Sequence, residues 1–193
     1  GNILVTGGAG FIGSHFIDRV VKEDGGRVIC LDAFTYAADI RNLEQSADRI
    51  EVVRGDIRNA EDLEKVFSRG IDTVVNFAAE THVDNSIGAP AVFVETNVLG
   101  TLRLLMAAMQ YGVRRFLQIS TDEVYGSCAD GCFAEDARHC PSSPYAASKS
   151  AAEQLCHAYF VTYKLPVLIA RSTNNYGPRQ HPEKFIPTCV THL

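Results

Sequence analysis

The chain has 193 residues, 46% hydrophobic and 21% charged, which is ordinary for one compact, well-buried globular domain. Its formal net charge of −5, with 18 Lys and Arg scattered along the sequence, excludes a broad nucleic-acid footprint, although backbone N–H groups can hold a small phosphate ligand at any net charge. Uninterrupted apolar runs such as Pro166 to Ala170 are far shorter than a membrane span and no basic-then-apolar leader is visible, so the chain reads as a soluble protein without a membrane partner.

The first strand candidate is NILVTG (Asn2 to Gly7), and it runs straight into GGAGFIG and a helix over Phe11 to Glu23. Gly7, Gly10 and Gly13 therefore stand between a strand and a helix, the context in which a glycine-rich turn cradles a pyrophosphate. Phe11 and Ile12 open that helix, where free N–H groups and the helix dipole stabilise anionic charge. RVICLD (Arg27 to Asp32) is the second strand, and Asp32 lies roughly 20 residues beyond the last glycine, where a carboxylate accepts hydrogen bonds from the adenosine ribose hydroxyls. That position favours NAD and would repel a 2′-phosphate. A short helical piece around Ile40 to Ala47 leads to the third strand, IEVVRGD (Ile50 to Asp56), whose end puts Asp56 and Ile57 beside the adenine.

Ala60 to Ser68 reads as a helix, DTVVNFAA (Asp72 to Ala79) as the fourth strand and Pro90 to Tyr111 as a long helix. The fifth strand, RRFLQIS (Arg114 to Ser120), is followed at once by a hydroxyl and two acids, Thr121, Asp122 and Glu123, which should face the crevice at the carboxyl ends of the strands. In SSPYAASKSAAE, Ser143 is a favoured N-cap and Pro144 a tolerated first helical residue, so Pro144 to Tyr163 is a helix with Tyr145 and Lys149 one turn apart on one face. An ammonium there lowers the phenol pKa and makes Tyr145 a base toward a sugar hydroxyl. LPVLIARS (Leu165 to Ser172) is the sixth strand. Each strand is nearly continuous in apolar residues, as strands buried on both faces should be. The alternation predicts an α/β, doubly wound parallel sheet in the order 3-2-1-4-5-6.

Six cysteines in an enzyme-like chain point to a reducing, cytoplasmic compartment rather than a disulfide framework. Cys128, Cys132, His139 and Cys140 share a loop, but their irregular spacing and the lack of a CxxC pair favour free thiols over a zinc site, and no metal is expected.

The Gly-rich turn with the Tyr145/Lys149 pair resembles the short-chain dehydrogenase/reductase superfamily. VTGGAGFIGSH, GDIRNAEDL, NFAAETHVDNSI, FVETNVLGT, STDEVYG, PYAASKSAAE and RSTNNYGPRQHPEKFIP, in this order, resemble the signatures of the dTDP-glucose 4,6-dehydratases along essentially the whole chain. The resemblance implies tightly held NAD, a nucleotide-sugar substrate and a lyase reaction in which Tyr145 deprotonates the C4 hydroxyl, Glu123 takes the C5 proton, Asp122 protonates the C6 hydroxyl and Thr121 binds the C4 oxygen. It adds Ala78 and Ala79 to the cofactor contacts, places Thr81, His82, Asn175, Glu183 and Lys184 near the sugar or diphosphate, and gives Asn97 an organising role. It also implies a homodimer through the two long helices.

Family members are longer, so residues 1–193 are expected to form the cofactor domain carrying the catalytic residues, without the C-terminal part that supplies the nucleotide-base pocket. Such a chain should bind NAD without efficient turnover. A UDP-sugar dehydratase, a C4 epimerase or decarboxylase with the same Tyr145 and Lys149, and a catalytically silent NAD-binding protein remain alternatives at this point.

Overall fold

The computed structural model describes residues 1–193. Six strands, β1 (Asn2–Thr6), β2 (Arg27–Asp32), β3 (Ile50–Arg54), β4 (Thr73–Asn76), β5 (Arg115–Thr121) and β6 (Val167–Ser172), form one parallel sheet in the order β3-β2-β1-β4-β5-β6. This is the doubly wound Rossmann-type order read from the sequence. Around the sheet lie α1 (Phe11–Lys22), α2 (Ala60–Phe67), α3 (Val83–Gly88), α4 (Pro90–Phe93), α5 (Thr101–Gln110), α6 (Pro144–Tyr163) and α7 (Phe185–Thr191).

Strand alternation divides the core into two layers. Leu4, Ile29, Leu31, Val74 and Phe116 point to one face and meet Leu63 and Phe67 of α2, Leu104 and Leu105 of α5, and Cys156 of α6. Val5, Val28 and Cys30, one residue out of phase, point to the other face and meet Ile17 and Val21 of α1. Burial on both faces fails at β6, where alternate residues are exposed and Leu168 keeps 65% of its surface, because no helix of this chain covers that side. The apolar sequence of β6 gave no sign of this.

Three further differences from the sequence reading have local causes. The Ile40 piece is a 3-10 helix over Ile40–Arg49, capped by the Asp39 side chain accepting from the Arg41 N–H at 2.9 Å. The long helix is continuous from Pro90 to Gln110 but widens to π geometry over Val94–Gly100. Within that bulge Gly100 packs on Ile57, and Asn97 Nδ2 donates to the Glu80 carbonyl and to Ser148 Oγ at 3.0 and 2.9 Å. Such bulges are frequent at functional sites. The six-residue α3 was too short for its periodicity to be seen, although the His82 ring caps it by accepting from the Asn85 N–H.

Pro90–Gln110 is long and apolar enough to cross a membrane, an 18-residue stretch of it reaching a mean hydropathy of 1.4, which counting uninterrupted apolar runs did not anticipate. Here its inner side supplies Phe93, Leu104, Leu105 and Ala108 to the packed interior.

A polar ladder crosses the dry middle of the sheet. The register sets Thr6 beside Asn76 and Asn76 beside Gln118. Thr6 Oγ1 donates to Asn76 Oδ1 at 2.6 Å, Asn76 Nδ2 donates to Gln118 Oε1 at 2.8 Å, and Gln118 Nε2 donates to the Ile119 carbonyl at 3.3 Å. Replacing Asn76 by Leu removes the acceptor of the Thr6 hydroxyl proton and the donor to Gln118 Oε1. Urea unfolding should show a loss of about 1–3 kcal/mol at unchanged m value, and an unaltered midpoint would show that the ladder contributes nothing.

Candidate active site

All six strands end their carboxyl sides toward one cleft of about 900 Å³. Its floor is the turn between β1 and α1. Gly7 holds φ at +67°, a value that L side chains rarely adopt, and a Cβ on it would sit 2.7 Å from the Ala78 nitrogen. A Cβ on Gly13 would lie 2.4 Å from the Gly7 carbonyl, so only glycine lets α1 approach the strand end this closely. Gly10 has no side chain to cap α1, which leaves the first-turn N–H groups of Phe11, Ile12 and Gly13 turned to the cleft these residues line. The cradle fits a dinucleotide pyrophosphate by shape and by donor chemistry.

Asp32 ends β2 and is buried, with Oδ2 accepting from the Ala9 N–H at 2.9 Å and Oδ1 from the Phe34 N–H at 2.8 Å. Burial raises its carboxyl above the usual range, and these two backbone donors partly offset the rise. Asp56 and Ile57 line the same cleft after β3, the Asp56 carboxylate paired with Arg58 at 2.7 Å. Ala78 and Ala79 line it after β4.

The acid turn differs from the reading in two ways. β5 runs one residue further, to Thr121, and Asp122–Tyr125 form a 3-10 turn that Thr121 caps. Thr121 Oγ1 accepts from the Glu123 N–H at 3.2 Å and donates to Asp122 Oδ1 at 3.3 Å. Thr121 and Glu123 line the cleft, but Asp122 does not, so the three residues do not all face it. A tight turn cannot aim two successive side chains the same way. Burial first, and then the Asp122 charge, raises the Glu123 carboxyl, while Lys184 opposes the rise.

Ser143 caps α6 by accepting from the Ala146 N–H at 3.0 Å, and this sets Tyr145 and Lys149 into the cleft. Both are buried. The Tyr145 phenol is pushed up to about 12 by burial, then by Glu123 and Asp122, with only the Thr121 hydroxyl acting against the rise. This corrects the expectation that Lys149 lowers it. Lys149 donates instead to the Ile119 carbonyl at 2.6 Å, and burial brings its ammonium down to about 8 against the opposing pull of Glu153.

Thr81, His82, Asn175, Glu183 and Lys184 also line the cleft. Lys184 Nζ donates to the Thr81 carbonyl at 3.2 Å, and His82 Nε2 lies 3.8 Å from Glu183 Oε2. Sequence reasoning missed Tyr36, Glu80 and Ser120. Tyr36 donates to Glu183 Oε1 at 3.2 Å from a loop without any motif, so nothing in the sequence marked it. Ser120, whose buried hydroxyl has no protein partner, and the half-buried Glu80 sit where β5 and β4 give way to the cleft, and the strand-end rule could have found both. No group of three or more His, Cys, Asp or Glu side chains is arranged to hold a metal, and all six cysteines are free.

Comparison with known proteins fits this geometry. Over 191 residues the chain is 50% identical to the low-salt glycan biosynthesis protein Agl12 of Haloferax volcanii, covering 98% of this chain and 61% of that protein. It is 49% identical to a dTDP-glucose 4,6-dehydratase of an Actinoplanes species, covering 99% and 62%. The crystal structure of DesIV, a dTDP-glucose 4,6-dehydratase from Streptomyces venezuelae with NAD and dTDP bound, superposes with a TM-score of 0.95 at 49% identity, covering 100% of this chain and 62% of that one. The chain thus spans about three fifths of the length of these relatives. The family model described as GDP-mannose 4,6 dehydratase matches residues 4–193, and on that match, with the dTDP-glucose 4,6-dehydratases as its similar relatives, the chain belongs to this nucleotide-sugar dehydratase family.

Proposed function

We propose that residues 1–193 are the cofactor-binding and catalytic part of an NAD-dependent NDP-glucose 4,6-dehydratase, a carbon–oxygen lyase, with dTDP-glucose as the first substrate to test. The observation that carries this reading is that Tyr145 and Glu123 line one cleft closely enough for the carboxylate to perturb the phenol. That placement supports a single sugar meeting both.

Gly7 to Gly13 would hold the pyrophosphate of NAD, Asp32 the adenosine ribose, Asp56 and Ile57 the adenine, and Ala78, Ala79, Tyr145 and Lys149 the nicotinamide half. When bound, the nicotinamide supplies reversible storage of one hydrogen with its electron pair, taken from C4 and given back at C6. Tyr145 removes the C4 hydroxyl proton while Thr121 hydrogen-bonds the C4 oxygen. A ketone at C4 then delocalises the charge left at C5, and Glu123 becomes a strong enough base to take the C5 proton. Asp122 delivers a proton to the C6 oxygen, which leaves as water. Asp122 starts hydrogen-bonded to the Thr121 hydroxyl and outside the cleft lining, so a side-chain rotation would bring it to C6. Glu123 returns a proton to C5, and the proton held by Tyr145 restores Asp122, so the net change is loss of one water. Thr81, His82, Asn175, Glu183 and Lys184 would hold the sugar and diphosphate.

One observation favours a C4 epimerase as the second reading: Asp122 lies outside the cleft, and epimerisation needs no acid pair. Turnover in deuterated water separates the two. A dehydratase places deuterium at C5 of the product, whereas an epimerase leaves C5 unlabelled.

The homodimer follows from the same reading. Val94, Leu99, Met106 and Met109 on the Pro90–Gln110 helix and Phe160, Val161 and Tyr163 on α6 keep roughly half their surface exposed, which is apolar area for a partner's matching helices. Six free cysteines suit a reducing, cytoplasmic setting.

In the full-length protein, Glu123→Gln should stop the loss of water yet allow C4 oxidation, so reduced cofactor accumulates on the enzyme. Because it also removes a negative charge that opposes the phenolate, the Tyr145 pKa falls and the alkaline rise of the oxidation rate moves to lower pH. Normal turnover by this variant would end the assigned role of Glu123. The 193-residue chain alone should show an NAD-dependent rise in melting temperature that Gly13→Ala abolishes. Its turnover should lie at least about 100-fold below that of the full-length protein, since positioning is lost with the remaining segment. Equal turnover would place the whole catalytic apparatus within these residues.

A further inference from the structure

Outside the cleft, the densest polar junction in the molecule centres on Arg171 of β6, one residue before the cleft-lining Ser172. Its Nε and Nη2 fork the Glu153 carboxylate at 2.9 and 2.6 Å, and Glu153, one turn beyond Lys149 on α6, is 2% exposed. Nη2 also lies 3.0 Å from His139 Nε2, whose other ring nitrogen is 2.8 Å from Ser150 Oγ on α6. Nη1 donates to the Tyr125 hydroxyl and, at 2.7 Å, to the Glu135 carbonyl, while the guanidinium stands 4.8 Å from the centroid of the Tyr125 ring.

Tyr125 ends the 3-10 turn that carries Asp122 and Glu123, and Glu153 belongs to the helix that carries Tyr145 and Lys149. We propose that Arg171 is a positioning residue whose guanidinium fixes the acid turn against the Tyr145–Lys149 helix, so that elimination depends on it far more than oxidation at C4 does.

The division follows from what holds each group. Tyr145 and Lys149 share α6, and Thr121 lies in β5, whose register against β6 extends through Thr121 itself. Those three need no help from the turn. Glu123 and Asp122 sit on a four-residue turn that no strand pairs, and the Tyr125–Arg171–Glu153 chain is its hydrogen-bonded tie to the helix. A planar guanidinium with five N–H donors suits such a three-way junction, and lysine, a point charge, does not. For the Glu153 pair alone, structural stability would be a sufficient account. The remaining donors, spent on Tyr125 and on the loop at Glu135, are what that account leaves unexplained.

The inference rests on the dehydratase reading, and the test separates their failures. Tyr125→Phe in the full-length, NAD-loaded protein keeps the ring and removes one bond to Arg171. Single-turnover oxidation at C4 should stay within about twofold, while release of water from C6 slows roughly tenfold, so reduced cofactor builds up transiently; a sub-ångström displacement of a general base is enough for that. Arg171→Lys should move the same ratio further in the same direction. Equal slowing of both steps, or of neither, overturns the proposal, because a merely structural loss does not discriminate between them. A readout independent of turnover is amide hydrogen exchange. Tyr125→Phe should accelerate exchange over residues 121–126 and leave α6 unchanged, and unchanged exchange in the turn overturns the tie. Should the wild-type full-length protein form no 4-keto-6-deoxy product, the dehydratase reading fails and the exchange result alone decides whether Arg171 anchors the turn.

Discussion

The cleft exists because β1 and β4 stop at the same level while β5 runs on beyond them to Thr121. Pairing of Thr6 with Asn76 and of Asn76 with Gln118 aligns β1, β4 and β5, so that Gly7, Ala78 and Thr121 emerge close to one another from residues far apart in sequence. A slip of one residue in any of these pairs would turn every side chain of that strand to the opposite face. The Thr6–Asn76–Gln118 ladder resists such a slip, since buried amides and hydroxyls meet only in this register. It ends on the Ile119 carbonyl, the acceptor that also holds Lys149, so sheet alignment and placement of the cleft-lining ammonium share an atom.

Electrostatics in the cleft follow from burial more than from pairing. Tyr145 and Lys149 are drawn toward their neutral forms, the phenol upward and the ammonium downward, and the Glu123 carboxyl is likewise raised. Each shift disfavours the charged form, so these residues by themselves raise the cost of forming a phenolate in the cleft. The negative charge of Glu123 works against the phenolate.

The placement of the glycine turn, Asp32 and the Tyr145–Lys149 pair was legible in the sequence because their signals are local. A glycine pattern between a strand and a helix, an acid at the end of the next strand and a YxxxK pair behind an N-cap each declare their geometry within a dozen residues or so. Asp122 was misread for the opposite reason, because which of two adjacent side chains faces a cleft depends on the pitch of one turn that sequence leaves open. The phenol pKa was misjudged because a Lys one helical turn away has a choice of acceptors, and a carbonyl on β5 wins. Tyr36 and the Arg171 junction were invisible, since both join segments separated by more than a hundred residues or by unpatterned loops.

The open side of β6 has a physical consequence of its own. Leu168 and Ala170, spaced as alternate residues on an outermost strand, set a hydrocarbon stripe beside unpaired peptide groups. Such a rim can template the backbone of a neighbouring molecule. Within residues 1–193 that rim, at the opposite end of the sheet order from β3, is therefore open to such pairing.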